Sequence, residues 1–204
     1  MSQYQNAKFL VSAWQPHQFP ADEGAEVAFA GRSNSGKSSA INAITSRNGL
    51  ARVSKTPGRT QLINFFVLEP EHRLVDLPGY GFAKVPKKMQ QHWRSLLSSY
   101  FEQRRSLAGC VLIVDSRRGL TDFDRQMVEW AASSSVPMHV LLTKVDKLSQ
   151  SDAAKVSRAV ANELSVAATV QLFSSVTKRG VEQARTAMHA FFVNIGPKKN
   201  PDEH

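Results

Sequence analysis

A strand, a glycine-rich loop and a helix follow one another directly between Glu26 and Ile44, and they constrain the fold more than any other feature. The loop, Gly31 to Ser38, reads G-R-S-N-S-G-K-S. In such an arrangement, backbone N–H groups and the helix amino terminus surround phosphate oxygens. Lys37 would reach the β- and γ-phosphates, and the Ser38 hydroxyl would bind Mg²⁺. The segment therefore predicts a nucleoside triphosphate site.

Apolar runs alternate with amphipathic helical patterns along the rest of the chain, which is typical of βα units wound around a mostly parallel sheet. Strands are predicted at 26–30, 63–68, 73–76, 110–115, 137–143 and 170–173. Helical periodicity is clearest at 89–101, at 123–131 after a Thr121/Asp122 capping signal, from Ser151-Asp152 onward, and at 181–192. We expect a three-layer α/β sandwich of about six strands, with one antiparallel edge strand at 63–68.

The domain limits follow from the same patterns. Residues 1–24 carry few periodic signals and are predicted to be an N-terminal extension, residues 25–193 form the domain, and the Pro-rich polar segment 194–204 is predicted to be a flexible tail. Residues 46–60 are polar, basic and interrupted by Gly and Pro. Loops of that length in a compact domain are usually functional or mobile.

Charge points to the kind of partner, since 26 Lys and Arg residues against 17 Asp and Glu residues give a net charge of +9. This balance favours polyanions, nucleic acid above all. Each short basic cluster is also compatible with ordinary solvated surface. The clusters are Arg52/Lys55/Arg59, Lys84/Lys87/Lys88, Arg104/Arg105, Arg117/Arg118, Lys178/Arg179 and Lys198/Lys199.

The single cysteine, Cys110, lies in an apolar run, which excludes a disulfide framework and disfavours a catalytic thiol. No segment has the pattern of a secretory leader or of a membrane span. We expect a cytoplasmic protein without a membrane partner, and a monomer, because no long exposed apolar stripe is evident.

A second chemical element ends the strand at 73–76, where Asp76 is followed three residues later by Gly79. A carboxylate here can hold Mg²⁺ through water, and a backbone N–H can contact the γ-phosphate. Asp76 alone could also cap a turn or a helix. Its order after the phosphate loop favours the metal role.

A third element, Thr143-Lys144-Val145-Asp146, indicates which base is bound. The Asp146 carboxylate can accept hydrogen bonds from N1–H and the exocyclic amine of guanine, whereas adenine presents the wrong donors and acceptors. The stem of Lys144 would lie across the base while its ammonium steadies the phosphate loop. The small residues of 174–176, after the next strand, suit backbone contact with the guanine carbonyl.

These segments, with K55-T-P-G-R-T-Q-L-I-N-F-F66 and D76-L-P-G-Y-G-F-A-K84, resemble the EngB (YihA/YsxC) ribosome-biogenesis GTPases of the TrmE-Era-EngA-EngB superfamily, from about residue 7 to residue 193. The resemblance implies a Ras-like G domain that binds GTP/GDP and Mg²⁺ and hydrolyses GTP slowly. It also implies a switch role in assembly of the large ribosomal subunit, with that subunit or its precursor and rRNA as partners, and a requirement for normal cell division and septation.

Carried over by position, the resemblance assigns three sets of site residues. Those for the nucleotide are Gly31, Arg32, Ser33, Asn34, Ser35, Gly36, Lys37, Ser38, Ser39, Gly58, Arg59, Thr60, Gln61, Leu62, Asp76, Leu77, Pro78, Gly79, Thr143, Lys144, Val145, Asp146, Phe173, Ser174 and Ser175. Those for Mg²⁺ are Ser38, Thr60 and Asp76, and those for catalysis are Lys37, Thr60 and Gly79. Thr56 competes with Thr60 as the switch threonine, although Gly58-Arg59-Thr60 fits the family pattern better.

Tyr80 occupies the position at which the Ras-like pattern has a glutamine that orients the attacking water. A phenol cannot replace that amide, so slow turnover is expected. Asn34 matches a loop asparagine with which some relatives bind K⁺, which makes potassium a hypothetical further cofactor. An accelerating arginine would be Arg59 or would come from the partner.

Two rival functions remain open. An ATP-dependent P-loop kinase would share Gly31 to Ser38 but has no use for Asp146 as a reader of guanine. A nucleotide-stabilised rRNA-binding adaptor would hydrolyse GTP only incidentally.

Overall fold

The computed structural model describes residues 3–51, 62–81 and 87–194. In these ranges the strands are β1 (Lys8–Ala13), β2 (Ala25–Gly31), β3 (Ile63–Glu69), β4 (His72–Asp76), β5 (Leu107–Asp115), β6 (Met138–Thr143) and β7 (Thr169–Leu172). The α-helices are α1 (Lys37–Thr45), α2 (Lys87–Gln103), α3 (Asp122–Ser133), α4 (Gln150–Leu164) and α5 (Val181–Val193). No helix in the described ranges is long and apolar enough to cross a membrane.

The seven strands form one sheet in the order β1-β3-β4-β2-β5-β6-β7. β3 is antiparallel to both β1 and β4, and the other neighbours are parallel. The mostly parallel sheet with one antiparallel strand is confirmed.

The expected strand count and edge need correction, because β1 lies within the predicted N-terminal extension and covers β3. A bulge between Phe9 and Val11 interrupts its register, and Phe9 and Leu10 are exposed. The bulge breaks the two-residue alternation by which a strand is recognised in a sequence.

Helices cover both faces of the sheet, which confirms the three-layer sandwich. On one face α2, α3 and α4 bury Leu97, Met127 and Leu164 against the sheet. On the other, α1 and α5 bury Ile41 and Met188. The amphipathic stripes predicted from the sequence therefore face the core.

Capping residues define where two of these helices begin. Thr121 caps α3 as predicted, and its N–H donates to the Asp124 carboxylate at 2.7 Å in a reciprocal capping box. α4 begins earlier than its predicted start at Ser151. Ser149 is its cap, because the Ser149 hydroxyl accepts from the N–H of Asp152 at 3.1 Å.

An ion network is buried at the amino end of β2, where the Glu26 side chain has no exposed surface. Its carboxylate accepts from Arg73 Nε at 2.9 Å, from Arg104 Nε at 3.0 Å and Nη2 at 2.6 Å, and from the Tyr100 hydroxyl at 2.9 Å. Two guanidinium groups and a phenol thus satisfy a carboxylate that would be very unfavourable there alone. The network joins β2, β4 and α2 at the end of the sheet away from the phosphate loop.

Candidate nucleotide-binding site

The phosphate loop connects the carboxyl end of β2 to the amino end of α1. Gly36 precedes α1 with φ +102°, a left-handed conformation in which a side chain would be strained. Gly36 is also the N-cap residue, and it has no side chain that could form a hydrogen bond with the first turn of α1. The N–H groups of a helix's first turn have no partner within the helix, so this end can bind an anion.

Asp76 lies at the base of this loop, because β4 neighbours β2 and pairs Asp76 with Phe29. The Lys37 ammonium contacts Asp76 Oδ1, and both side chains are buried. Ser38 follows on the first turn of α1. Its hydroxyl and the Asp76 carboxylate are hard oxygen donors that suit Mg²⁺, an ion usually held by few protein ligands together with phosphate oxygens.

The segment after β4 lies against the phosphate loop. The Ser33 N–H donates to the Tyr80 carbonyl at 2.8 Å, and Arg32 and Tyr80 form an isolated parallel bridge. A Cβ placed on Gly79 would be 3.5 Å from Ser33 Cα, so the two backbones are in close proximity. The predicted switch residues 76–79 therefore adjoin the loop expected to hold the phosphates.

The Tyr80 side chain points away from that loop. It is 5% exposed, its ring centroid is 4.3 Å from that of Phe123, and its hydroxyl donates to Asp124. Burial raises the pKa of Tyr80 well above its usual value, and the Asp124 carboxylate raises it further. The phenol is thus a protonated donor fixed in the core. Tyr80 cannot replace a water-orienting glutamine, because its side chain does not face the phosphate loop. This reason applies whatever the chemistry of the phenol.

Hydrogen bonds connect the residues at the end of β6 to the phosphate loop. The Thr143 hydroxyl donates to the Ser35 carbonyl at 2.5 Å, and Lys144 Nζ donates to the Asn34 carbonyl at 2.6 Å. Lys144 has φ +61°, which turns the chain abruptly after the strand. The predicted contact of the Lys144 ammonium with the loop is present.

Asp115 also belongs to this cluster, although no role was predicted for it from the sequence. Lys144 Nζ donates to its carboxylate at 2.8 Å, and Arg117 donates through Nε at 3.0 Å and Nη2 at 2.8 Å. Burial acts to raise the pKa of Asp115, but these hydrogen bonds outweigh it and hold the pKa well below its usual range. The available signal was its position at the end of β5, directly beside Thr143 at the end of β6.

The two predicted base-binding segments meet at Asp146. The Ser174 hydroxyl donates to Asp146 Oδ1 at 2.6 Å, and this hydrogen bond contributes most to holding the pKa of Asp146 below its usual value. The Val145 N–H and the Phe173 carbonyl are 3.4 Å apart. The carboxylate is therefore ionised and positioned, as acceptance of two guanine N–H groups requires.

The remaining predicted residues fall into two groups. Leu77, Pro78 and Phe173 are buried and support the loops, whereas Ser39 and Ser175 are half-buried and Leu62 is 36% exposed. Thr56, Gly58, Arg59, Thr60 and Gln61 lie outside the described residues. The choice between Thr56 and Thr60 thus remains a sequence prediction.

A family model described as "50S ribosome-binding GTPase" matches residues 26–144. A crystal structure of a probable GTP-binding protein engB superposes with a TM-score of 0.68 at 23% identity, covering 83% of this chain and 99% of that one. The family match, the fold and the ordered site define a P-loop GTPase with a Ras-like G domain.

Sequence relatives narrow the class. A probable GTP-binding protein EngB from Coxiella burnetii is 50% identical over 192 residues, 93% of this chain and 94% of the relative. The corresponding protein from Stenotrophomonas maltophilia is 52% identical over 185 residues, 89% of this chain and 92% of the relative. The chain belongs to the EngB family of GTP-binding proteins.

Proposed function

We propose that the protein is a slow GTPase that acts as a cytoplasmic switch in assembly of the large ribosomal subunit and is thereby required for normal division and septation. The observation that carries the proposal is a set of hydrogen bonds. They join the phosphate loop to the segment that contains Asp146, the carboxylate expected to bind guanine. Thr143 and Lys144 hold the loop, and Asp146 follows them in the next turn. A change at the phosphates can thus be transmitted to the loops that surround them.

In this proposal GTP takes over contacts that the structure shows within the protein. Lys37 would turn from Asp76 to the β- and γ-phosphates, while Ser38, Asp76 and Thr60 would hold Mg²⁺. Bound Mg²⁺ neutralises charge on the phosphate oxygens. Gly79, beside Ser33, offers its N–H to the γ-phosphate, so GTP and GDP favour different positions of the adjoining segment.

Slow turnover follows from the core position of Tyr80, because no glutamine orients water there. Asn34 is exposed on the phosphate loop with φ +64°, and the proposal assigns K⁺ to its side chain. Hydrolysis rates in KCl and NaCl test this role, and equal rates would eliminate it. Further acceleration is assigned to Arg59 or to an arginine of the partner.

The proposed partner is the large ribosomal subunit or its precursor, bound through rRNA. The net charge of +9 and the description of the matching family support this choice. The test is cosedimentation of the protein with ribosomal particles in the presence of GDP or a non-hydrolysable GTP analogue. A switch binds differently in the two states, whereas equal binding would refute it.

Single-turnover hydrolysis with and without large subunits separates the switch from the nucleotide-stabilised rRNA-binding adaptor. The switch predicts acceleration, and the adaptor predicts none. Displacement of fluorescent GDP by ATP addresses the kinase alternative. Effective competition by ATP would contradict the guanine-reading role of Asp146.

A further inference from the structure

A cavity of about 220 Å³ lies between the phosphate loop, the end of β5 and the start of α3. Its walls are residues 32–35 of the loop, Gly81, the end of β5 with the turn that follows it, the start of α3, and Lys144, so it adjoins the predicted nucleotide site. Neither the first turn of α1 nor Asp146 lines it. The cavity is therefore distinct from the helix amino terminus that is expected to hold the phosphates of GTP.

Both acidic groups in the wall have close partners, but only the charge of Asp115 is balanced by cations. Asp115 is paired with Arg117 and Lys144, both at 2.8 Å. Asp124 accepts from the Thr121 N–H and hydroxyl through one oxygen and from Tyr80 through the other. Asp124 keeps its negative charge, but both of its oxygens are already hydrogen-bonded, so the unpaired arginines leave a net positive charge in the wall.

Two arginines in the wall retain their full donor capacity. The side chains of Arg32 and Arg118 form no hydrogen bond or ion pair with any residue in the described ranges, although both backbones are hydrogen-bonded. Each guanidinium presents a planar fork of N–H donors that matches two oxygens of a phosphate group. The cavity thus has two cationic groups available to an anion.

The backbone opposite Arg32 is shaped to accommodate its side chain. Gly81 has φ +82°, and a Cβ there would lie 2.8 Å from Arg32 Cγ. Any side chain at position 81 would displace the stem that carries the guanidinium to the cavity. Ser35 also lines the cavity, and its hydroxyl is buried without a partner in the described part of the chain. A ligand with oxygen acceptors would supply hydrogen-bond partners for the Arg32 guanidinium and the Ser35 hydroxyl.

We propose that this cavity binds a backbone phosphate of RNA, with Arg32 and Arg118 as its ligands. The proposal rests on the ribosomal role proposed above and assigns a contact site for it. RNA fits better than an acidic peptide because the whole chain carries +9, so successive phosphates along a strand are attracted as well. The volume accommodates a phosphate with part of its ribose.

The test measures anisotropy of a fluorescently labelled single-stranded oligouridylate with the full GDP-bound chain over a series of KCl concentrations. Arg118→Gln should weaken binding about tenfold at low salt and reduce the slope of log K against log salt by about 0.7, the value for one phosphate contact on single-stranded nucleic acid. Arg158→Gln, on the exposed surface of α4, removes the same charge and should leave the slope unchanged. Arg118→Lys should retain the slope, and GDP affinity should stay as in the wild type in every variant.

Other outcomes would overturn the assignment. An equal loss in the Arg118 and Arg158 variants would mean that only net charge matters. Efficient competition by inorganic phosphate at the ionic strength of the control would indicate a site for a free anion. Weaker binding to ribosomal particles with unchanged binding to the oligonucleotide would indicate a protein ligand. If the oligonucleotide result holds while particles never cosediment, the cavity assignment stands and the ribosomal function fails.

Discussion

Glu26→Gln should strongly destabilise the protein, because the substitution removes the fully buried carboxylate that two guanidinium groups share. The glutamine keeps one acceptor oxygen, but its NH₂ group then faces donors. Burial raises the pKa of Tyr100 well above its usual value, so the phenol remains a donor and cannot compensate by ionising.

The expected magnitude follows from the contacts. Removing one partner of a buried ion pair typically costs about 3–5 kcal/mol. The lower end applies here, because Arg104 keeps a 2.9 Å hydrogen bond to the Pro20 carbonyl and Arg73 keeps a 3.0 Å bond to that of Ala21. About 3 kcal/mol is a large part of a typical domain's 5–15 kcal/mol. For a chain of this size it corresponds to a fall in Tm of roughly 6–12 °C.

Urea denaturation and thermal melting of the GDP-free protein measure this loss. Glu163→Gln is the matched control, because Glu163 also accepts from an arginine, Arg125 at 2.6 Å, but on the surface. The control should melt close to the wild type. Tyr100→Phe, which removes one donor and no charge, should be less destabilised than Glu26→Gln. If Glu26→Gln melts with the control, the network does not stabilise the fold.

Three further predictions concern other groups. Tyr80→Phe should lower the free energy of unfolding, measured in urea, by about 1.5–3 kcal/mol, the usual range for a hydrogen bond to a charged acceptor such as Asp124. Tyr80→Gln should not accelerate single-turnover GTP hydrolysis, because position 80 faces the core. Asp146→Asn should weaken GDP binding roughly 100-fold in fluorescent-GDP titrations, since two charge-assisted hydrogen bonds are impaired. The variant should favour xanthosine diphosphate, whose C2 oxygen accepts a hydrogen bond from an amide. Unchanged GDP affinity would exclude Asp146 as the residue that recognises guanine. Burial lowers the pKa of His139, partly offset by a hydrogen bond with Gln171, so the unfolded state takes up a proton first as pH falls. Stability in urea should therefore decline as pH drops below the usual histidine pKa of about 6.5, and His139→Gln should remove that part of the decline.

Much of the site was predictable because its signals are local. The phosphate loop needs a strand, a turn with positive φ at Gly36 and a helix start, and all three lie within one short segment. Asp76 ends a strand and Asp146 follows one, and the carboxyl ends of parallel strands meet at one edge of the sheet. The sequence therefore contained the residue types, their order and the edge at which they gather.

Other features could not be predicted because they depend on contacts between distant segments. β1 escaped detection since its bulge hides the strand period. The role of Asp115 became evident only when β5 and β6 placed it beside Lys144, which lies 29 positions further along the chain.

The chain alone thus determined a P-loop domain, guanine as the base and a missing glutamine, because each depends on the chemistry of neighbouring residues. The tertiary structure decided where side chains point. It turned Tyr80 into the core towards Asp124. It also paired Asp115 with two cations and left the side chains of Arg32 and Arg118 without hydrogen bonds or ion pairs among the described residues. Orientation and charge balance are set by packing across the sheet, which no single segment of the sequence contains.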